Sequence, residues 1–160
     1  MSQIEFSAMT FATVELRAAV PSDDEFCFQL HKAAMGEYVA AIWGWDDQDQ
    51  RALHARVFNP HRWQIITADQ VDVGMIDIEH RRSEVHLGRI EILPEYQNRG
   101  IGTQLIQKLI DLSIANGDDL TLDVLAVNLR ARALYQRLGM TEIARHGDKD
   151  VKIRMRHTAR

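Results

Sequence analysis

The sequence predicts a mixed fold of the α/β class, α+β type: one mostly antiparallel sheet of about seven strands packed with about four helices. Three observations support this prediction. Three β-type segments follow one another between residues 62 and 93, joined by short polar connections, which indicates an antiparallel meander. Residues Thr103–Asn116 carry apolar side chains at helical spacing, and Gly117 follows at the expected stop. The next segment, Leu120–Val127, is typical of an apolar, buried strand.

The first third of the chain predicts one strand and two helices. We assign residues 1–12 to an N-terminal extension, and the alternation in Thr13–Ala18 predicts a strand. Pro21 and the acidic residues after it are typical of a helix start, and we expect this helix to run to about Met35. The stretch that follows has no clear preference. Residues Asp47–Val57 predict a second helix, which ends before a proline.

The rest of the chain supplies the remaining elements. Asn128 is a favourable N-cap for a last helix that extends to Leu138. A chain of 160 residues is long enough for one packed domain and short for two, so we expect a single domain over residues 13–157. The strands of the meander are Arg62–Ala68, Val71–Ile78 and Glu84–Leu93, and those of a final hairpin are Met140–Arg145 and Asp150–His157.

Composition excludes several classes of function. The formal net charge of −4 and the absence of a basic block argue against nucleic-acid binding. No apolar run approaches the length of about 18 residues that a membrane span needs, and the first residues do not resemble a secretion signal. Cys27 is the single cysteine, and the histidines lack the spacing of a metal site. We therefore expect a soluble cytoplasmic protein with no metal.

The segment after the fourth strand is a candidate anion site. The strand breaks at Pro94 and leads through Gly100 and Gly102 into the helix that begins near Thr103. The first backbone N–H groups of a helix lack intrahelical partners and carry a partial positive charge, so they can hold a pyrophosphate. Glycine allows the ligand to approach the backbone closely.

These residues resemble a known signature. Gln97, Gly100 and Gly102 match the acyl-CoA-binding pattern Gln/Arg-x-x-Gly-x-Gly/Ala of the GCN5-related N-acetyltransferase (GNAT) superfamily. The run from Asn128 to Met140 resembles the second block of that family, with Met140 where phenylalanine is usual. The glycine spacing fits neither a dinucleotide fingerprint nor a P-loop.

The resemblance implies a fold and a co-substrate. The family sheet splays apart between its fourth and fifth strands, and acetyl-CoA lies in the V-shaped gap. A bulge and a proline near the end of the fourth strand would leave backbone groups free to bind the pantetheine amides. By this resemblance, the residues expected to bind acetyl-CoA are Ile90, Glu91, Ile92, Gln97, Asn98, Arg99, Gly100, Ile101, Gly102, Thr103, Asn128 and Tyr135.

Acetyl transfer to an amine also requires an acid and a base. The ammonium form of the acceptor has a pKa of about 10 and must lose a proton before it can attack. Tyr135 matches the family tyrosine that protonates the CoA thiolate, although a tyrosine packed against the sheet is the alternative. Three residues are candidates for the base: His86, Asp123 and Glu91. His86 could instead face solvent, Asp123 could be a paired surface carboxylate, and the orientation of Glu91 depends on the bulge. A backbone N–H near Ile92 would stabilise the acetyl oxygen, as the resemblance implies.

The acceptor is left open by the sequence. In this family the first two helices recognise it, and aromatic residues beside carboxylates could receive a cationic amine, although core packing and helix capping are the alternative. The residues concerned are Glu37, Tyr38, Trp43, Trp45, Asp46 and Asp47. We expect an acetyl-CoA-dependent N-acetyltransferase that transfers the acetyl group directly to a primary amine of a small molecule or protein. The alternative is a non-catalytic acyl-CoA-binding regulatory module. Homodimerisation is common in the family and is left open.

Overall fold

The structure, a computed structural model, describes residues 13–159 as one seven-stranded sheet with four α-helices. The N-terminal extension assigned to residues 1–12 lies outside the described residues. The strand order is β1-β2-β3-β4-β5-β7-β6, and every neighbouring pair is antiparallel except β4 with β5. The predicted fold class is therefore confirmed. The strands are β1 (Val14–Ala18), β2 (Trp63–Ala68), β3 (Val71–Arg81), β4 (Glu84–Ile92), β5 (Asp119–Leu125), β6 (Thr141–His146) and β7 (Lys152–His157).

The four helices lie close to their predicted positions. The second helix has the predicted bounds, and among the described residues no helix is both long enough and apolar enough to cross a membrane. The helices are α1 (Asp24–Trp43), α2 (Asp47–Val57), α3 (Ile101–Ala115) and α4 (Leu129–Arg137).

The first helix is longer than predicted. Its expected end near Met35 is wrong, because α1 continues to Trp43. A glycine inside a helix, here Gly36, costs about 1 kcal/mol relative to alanine, but burial of Val39 in the next turn favours continuation. The helix ends at Gly44, which has φ = 79° and whose N–H donates to the carbonyl oxygen of Ala40 at 3.1 Å.

The strands also differ from prediction at their ends. β3 extends to Arg81 instead of ending at Ile78, so the connection to β4 is shorter than expected. A left-handed residue, Ser83 with φ = 63°, closes this turn. β5 ends at Leu125, two residues before Val127, where the chain turns towards the cap of α4.

The sheet is covered by helices on both faces. On one face α3 and α4 cover the larger core, which includes Leu87, Ile106 and Leu122. On the other face α1 packs against a smaller core in which Leu30 contacts the cluster around Ile65. The site described below lies where the two helical layers meet the divergent part of the sheet.

The sheet opens between β4 and β5. The two strands pair only from Glu84↔Asp119 to Leu87↔Leu122, and beyond this point β4 continues to Ile92 and β5 to Leu125 without facing each other in the ladder. The predicted splay between the fourth and fifth strands is therefore present. It leaves one edge of each strand free for other partners.

The bulge in β4 lies earlier than predicted. The register with β3 shifts between Asp77↔Arg89 and Ile78↔Leu87, so Gly88 is the extra residue, and the expectation of a bulge near the end of the strand is wrong. Glycine suits this position because an added Cβ would lie 3.0 Å from a carboxylate oxygen of Asp77. The extra residue reverses the side-chain alternation, so that the side chain of Glu91 faces α1.

Candidate active site

Two adjoining cavities occupy the gap between the divergent strands. The larger, about 700 Å³, lies between the sheet and helices α1 and α2. The smaller, about 510 Å³, lies between the loop after β4, the start of α3 and helix α4. The walls they share are formed by Met35, Ile90, Glu91, Asn128, Ala131 and Tyr135. A ligand in one cavity would therefore meet a ligand in the other at these side chains.

The start of α3 forms one wall of the smaller cavity. Its N-cap, Gly100, has φ = 81°, and no side chain caps the helix. The backbone N–H groups of the first turn thus remain available to a ligand. An added Cβ at Gly100 would meet no atom within 4 Å, and one at Gly102 would come to 3.6 Å from Ile92 and 3.7 Å from Leu134. The open space beside Gly100 fits a phosphate-binding loop, whereas a side chain at Gly102 would pack against Ile92 and Leu134.

Side chains hold the rest of this loop. Gln97 Nε2 donates to the carbonyl oxygen of Ile92 at 2.9 Å, and the guanidinium of Arg130 on α4 donates to both Gln97 and Asn98. Asn98 takes a left-handed conformation with φ = 63°. Arg99 lies over the ring of its neighbour Tyr96 at 5.0 Å and does not line the cavity. Of the residues predicted to bind the cofactor in this loop, Arg99 alone therefore points elsewhere.

The free edge of β4 presents backbone groups to the cleft. Leu93 N–H donates to Val73 on β3 at 2.8 Å. Because successive residues of a strand direct their N–H groups to opposite sides, the N–H groups of Ile92 and Ile90 face away from β3. They are available to an extended ligand in the gap.

Helix α4 contributes Asn128, at its N-terminus, and Tyr135 to the wall shared by the two cavities. Asn128 Oδ1 accepts a hydrogen bond from Ala131 N at 3.2 Å, which caps the helix as predicted. Tyr135 is 7% exposed, and burial raises its pKa to about 12. Within the described part of the chain no side chain hydrogen-bonds its hydroxyl group. Tyr135 is thus a neutral donor without a protein acceptor on a wall shared by both cavities.

Glu91 lies on the same shared wall and is paired with a residue that sequence reasoning missed. Its Oε2 atom is 2.6 Å from Nδ1 of His31 on α1, and its Oε1 atom is buried without a hydrogen-bond partner in the described residues. Arg89 Nε lies 4.0 Å from Oε2. His31 lines the larger cavity. The one sequence signal for His31 is its helical spacing from Cys27 and Met35, which places it on the inward face of α1.

Asp123 lines the larger cavity but is tied to basic side chains. Arg154 on β7 donates to both carboxylate oxygens at 2.9 and 3.0 Å, and His146 Nε2 lies 3.2 Å away. Burial acts to raise the pKa of Asp123, but the hydrogen bonds from Arg154 and the nearby His146 outweigh it and leave the pKa below its ordinary value. Asp123 is therefore a poor proton acceptor at neutral pH.

His86 is not brought to the cleft. It lines neither cavity, and its Nδ1 atom lies 2.9 Å from the hydroxyl oxygen of Thr121 on β5. Burial, followed by the positive charge of Arg81, lowers its pKa. The structure thus separates His86 from Glu91 and Tyr135.

The residues considered for acceptor recognition have mixed roles. Trp43 lines the larger cavity and Tyr38 the smaller one. Trp45 instead packs beside Phe28 at 6.3 Å, and Asp46 caps α2 by accepting from Asp49 N at 2.9 Å. The two remaining residues do not line either cavity: Glu37 is exposed, and Asp47 pairs with Lys32 at 2.6 Å.

The cysteine does not offer an alternative nucleophile. Cys27 is buried in the core under α1, and burial raises its pKa to about 12, so it remains an inert thiol. Between residues 13 and 159 no group of three or more His, Cys, Asp or Glu side chains is arranged to hold a metal ion.

Comparisons with known proteins agree with this geometry. Residues 23–140 match the model of the acetyltransferase (GNAT) family. A stretch of 60 residues is 37% identical to thialysine N-epsilon-acetyltransferase of Bos taurus, covering 37% of this chain and 35% of that protein. The match thus spans about a third of the bovine enzyme's length.

Solved structures share the fold. PaiA N-acetyltransferase of Thermoplasma acidophilum, in complex with coenzyme A, superposes with a TM-score of 0.72 at 16% identity, covering 91% of this chain and 99% of that one. Spermidine N-acetyltransferase of Vibrio cholerae, in complex with CoA and spermine, superposes with a TM-score of 0.65 at 21% identity. The superposition covers 91% of this chain and 95% of that one. Since the family model spans most of the chain, the protein belongs to the acetyltransferase (GNAT) family of acyltransferase enzymes.

Proposed function

We propose that this protein is an acetyl-CoA-dependent N-acetyltransferase that moves the acetyl group directly to a primary amine. The observation that carries this proposal is the pair of adjoining cavities with Tyr135 and Glu91 on their shared wall. One cavity has an uncapped helix terminus suited to phosphates, and the other reaches solvent beside α1 and α2. Such an arrangement lets two substrates meet without a covalent enzyme intermediate, for which Cys27 is unsuited.

The smaller cavity is proposed to hold the CoA portion of the substrate. The free N–H groups from Gly100 to Thr103 would bind the pyrophosphate, and the free N–H of Ile92 on the edge of β4 would pair with a pantetheine amide. The side-chain amide of Asn128 adds a polar contact on the shared wall. Bound acetyl-CoA supplies an acetyl thioester at the junction of the cavities.

Two groups then act on the acetyl thioester. The N–H of Ile90, near Ile92 and on the wall shared by both cavities, faces the cleft and would donate to the acetyl oxygen, where negative charge develops during transfer. Tyr135 would hold a proton at its hydroxyl for the departing sulfur. Its pKa of about 12 keeps that proton in place at neutral pH.

The proton of the acceptor is proposed to leave towards Glu91. Of the three base candidates, Glu91 alone lies on the wall shared by both cavities. Asp123 is tied to Arg154, and His86 lies outside both cavities. Glu91 would therefore accept the proton either directly or through His31, the side chain that is bound to it.

The acceptor is proposed to be a primary amine on an aliphatic chain. The larger cavity has a mostly apolar wall that suits the carbon chain, and Glu91 and Asp123 add negative charge to its lining. Two of the similar proteins have alkylamines in their names, thialysine and spermidine, which supports this class. The apolar wall consists of Met35, Val39, Trp43, Leu53 and Val57.

Calorimetry and product analysis test the proposal. Purified protein is titrated with acetyl-CoA and CoA, and the acetyl-CoA complex is then incubated with alkylamines, amino acids, aminoglycosides and peptides. We expect saturable binding and an acetylated alkylamine, detected by mass spectrometry. Binding without any acetylated product would favour the regulatory module, and absence of binding would contradict the assignment of the smaller cavity.

A further inference from the structure

We propose that His31 is the catalytic base of the transfer, and that Glu91 acts through it by orienting its ring. The inference rests on the proposed acetyltransferase function and assigns the proton-accepting atom within it. His31 lies on α1, sixty residues before Glu91 in sequence, and forms part of the wall of the larger cavity.

The hydrogen bond between the two side chains decides which nitrogen can act. Glu91 Oε2 lies 2.6 Å from Nδ1 of His31. A carboxylate is an acceptor only, so the imidazole proton must lie on Nδ1, and Nε2 keeps its lone pair. This is the arrangement by which a carboxylate fixes the tautomer of a catalytic histidine.

Exposure separates the roles of the two groups. The side chain of Glu91 is 4% exposed and that of His31 is 16% exposed. The carboxylate is therefore covered by the imidazole and the surrounding core, and the imidazole is the member of the pair that solvent and an acceptor reach. The indole of Trp45 lies beside the ring of His31 at 6.0 Å and limits its rotation.

The other titratable groups around the pair do not compete with His31 for the proton of an amine. Arg89 on β4 lies 4.0 Å from Glu91, and Cys27 lies one helical turn before His31. Across the cavity Asp123 is held by Arg154. None of these groups offers a free acceptor to an amine in the cavity.

The second histidine of the larger cavity cannot replace His31. His54 Nε2 is 2.8 Å from Asp24, and the ring stacks on Phe58 at 5.5 Å. Its remaining nitrogen, Nδ1, is buried without a partner in the described residues. An acceptor in the cavity cannot reach that atom.

The protons balance on the groups described. His31 Nε2 takes one proton from the ammonium group, which frees the nitrogen lone pair to bond to the acetyl carbon. The carbon–sulfur bond breaks, and the sulfur leaves with its electron pair and takes the proton of Tyr135. The acetylated nitrogen then gives its surplus proton to the phenolate of Tyr135, which restores the hydroxyl group. His31 releases its proton to solvent, so that each turnover yields one amide, one thiol and one proton.

Kinetics against pH test the assignment. The wild type, His31→Gln, Glu91→Gln and the control His86→Gln are assayed between pH 5 and pH 10 at saturating acetyl-CoA, with an alkylamine that the wild type acetylates. We expect a wild-type kcat/KM that rises with pH as the catalytic base loses its proton. His31→Gln should lower kcat by about 10²–10⁴-fold and abolish this rise, while CoA affinity is unchanged. His86→Gln should match the wild type.

Glu91→Gln distinguishes orientation from direct catalysis. It should retain the rise at a lower kcat, because the ring of His31 is no longer oriented by a carboxylate but its Nε2 atom can still take the proton. Added imidazole should partly restore the activity of His31→Ala and leave that of Glu91→Gln unchanged. If Glu91→Gln abolishes the rise and His31→Gln keeps it, Glu91 is the base and the inference is wrong while the proposed function stands. If the wild type acetylates no amine, both are wrong.

Discussion

At the scale of a single residue, burial keeps Tyr135, the proposed acid, in its protonated form. No side chain in the described residues accepts its proton, and burial raises its pKa to about 12. A phenol in this state stays protonated across the physiological range and has a donor to offer to an incoming sulfur. Its place on the shared wall of the two cavities follows from the start of α4 at Asn128, since the helix turns Tyr135 towards the gap.

Replacing Tyr135 with phenylalanine tests this role. We expect Tyr135→Phe to lower kcat by about 10²-fold or more, because the thiolate then leaves without a proton. CoA affinity should hardly change, since the substitution keeps the ring in place. Steady-state kinetics and calorimetry measure the two quantities. Equal kcat in both proteins would show that the sulfur obtains its proton from water or from another group.

A second residue-scale prediction concerns stability in acid. The guanidinium of Arg17 on β1 binds Asp23 through two hydrogen bonds of 2.9 Å and also binds Asp72. The hydrogen bonds from Arg17 hold the pKa of Asp23 below its ordinary value. Asp23 therefore contributes stability above the unfolded-state pKa of about 4, and this contribution is lost as the pH falls through the lower folded-state pKa.

We expect Arg17→Met to lower the free energy of unfolding by about 1–3 kcal/mol at pH 7, because a nearly buried carboxylate loses its partner. The difference from the wild type should shrink below about pH 4, as Asp23 becomes protonated. Urea unfolding at neutral and acidic pH measures this difference in the free energy of unfolding. Arg145→Met, which removes an exposed ion pair with Glu142, is the control and should have little effect at either pH. An unchanged difference at low pH would contradict the assignment to Asp23.

At the scale of elements, α1 shows how packing overrides a local signal. Gly36 weakens the helix, yet the helix continues because later turns bury apolar side chains against the sheet and line the larger cavity. An added Cβ at Gly36 would meet no atom within 4 Å. Alanine therefore fits at this position without displacing a neighbour.

We expect Gly36→Ala to stabilise the protein by about 0.5–1 kcal/mol, since alanine loses less backbone entropy than glycine on entering a helix. This corresponds to an increase in Tm of about 1–4 °C, measured by calorimetry. The matched control is Gly74→Ala on β3, where the new Cβ would overlap the carbonyl oxygen of Glu91 and should lower Tm. A fall in Tm for Gly36→Ala would contradict a regular helix at this point.

The elements were predictable from sequence where local signals and packing agree. The bounds of α2 follow from its polar cap and the proline after it, and the loop from Gln97 to Gly102 follows from glycine spacing. The pairing of Glu91 with His31 was not predictable. Gly88 as the bulged residue reverses the orientation of Glu91, and a shift of one residue cannot be located from alternation alone. The contact of Glu91 with His31 joins residues sixty positions apart, which no local pattern reports.

At the scale of the whole molecule, the sheet consists of two parts joined by few backbone contacts. Strands β1 to β4 form one part, and β5, β7 and β6 form the other. Only four residue pairs join them, from Glu84↔Asp119 to Leu87↔Leu122. An extended ligand paired with the free edge of β4 would occupy the gap beyond these pairs and contact α4 on the other side. Ligand binding should therefore stabilise the whole fold and not only the loop.

This linkage gives the last prediction. CoA at about 100 times its Kd should add about 2.7 kcal/mol to the free energy of unfolding and raise Tm by about 5–11 °C in differential scanning calorimetry. Gly100→Ala should lose most of this increase, because the new Cβ would occupy open space at the start of α3, where the pyrophosphate is proposed to bind. Gly117→Ala is the matched control: both glycines have positive φ, and both substitutions cost about 1–2 kcal/mol in backbone strain, but Gly117 lies at the far end of α3. Gly117→Ala should keep the full increase, and an equal increase in all three proteins would exclude the start of α3 as the pyrophosphate site.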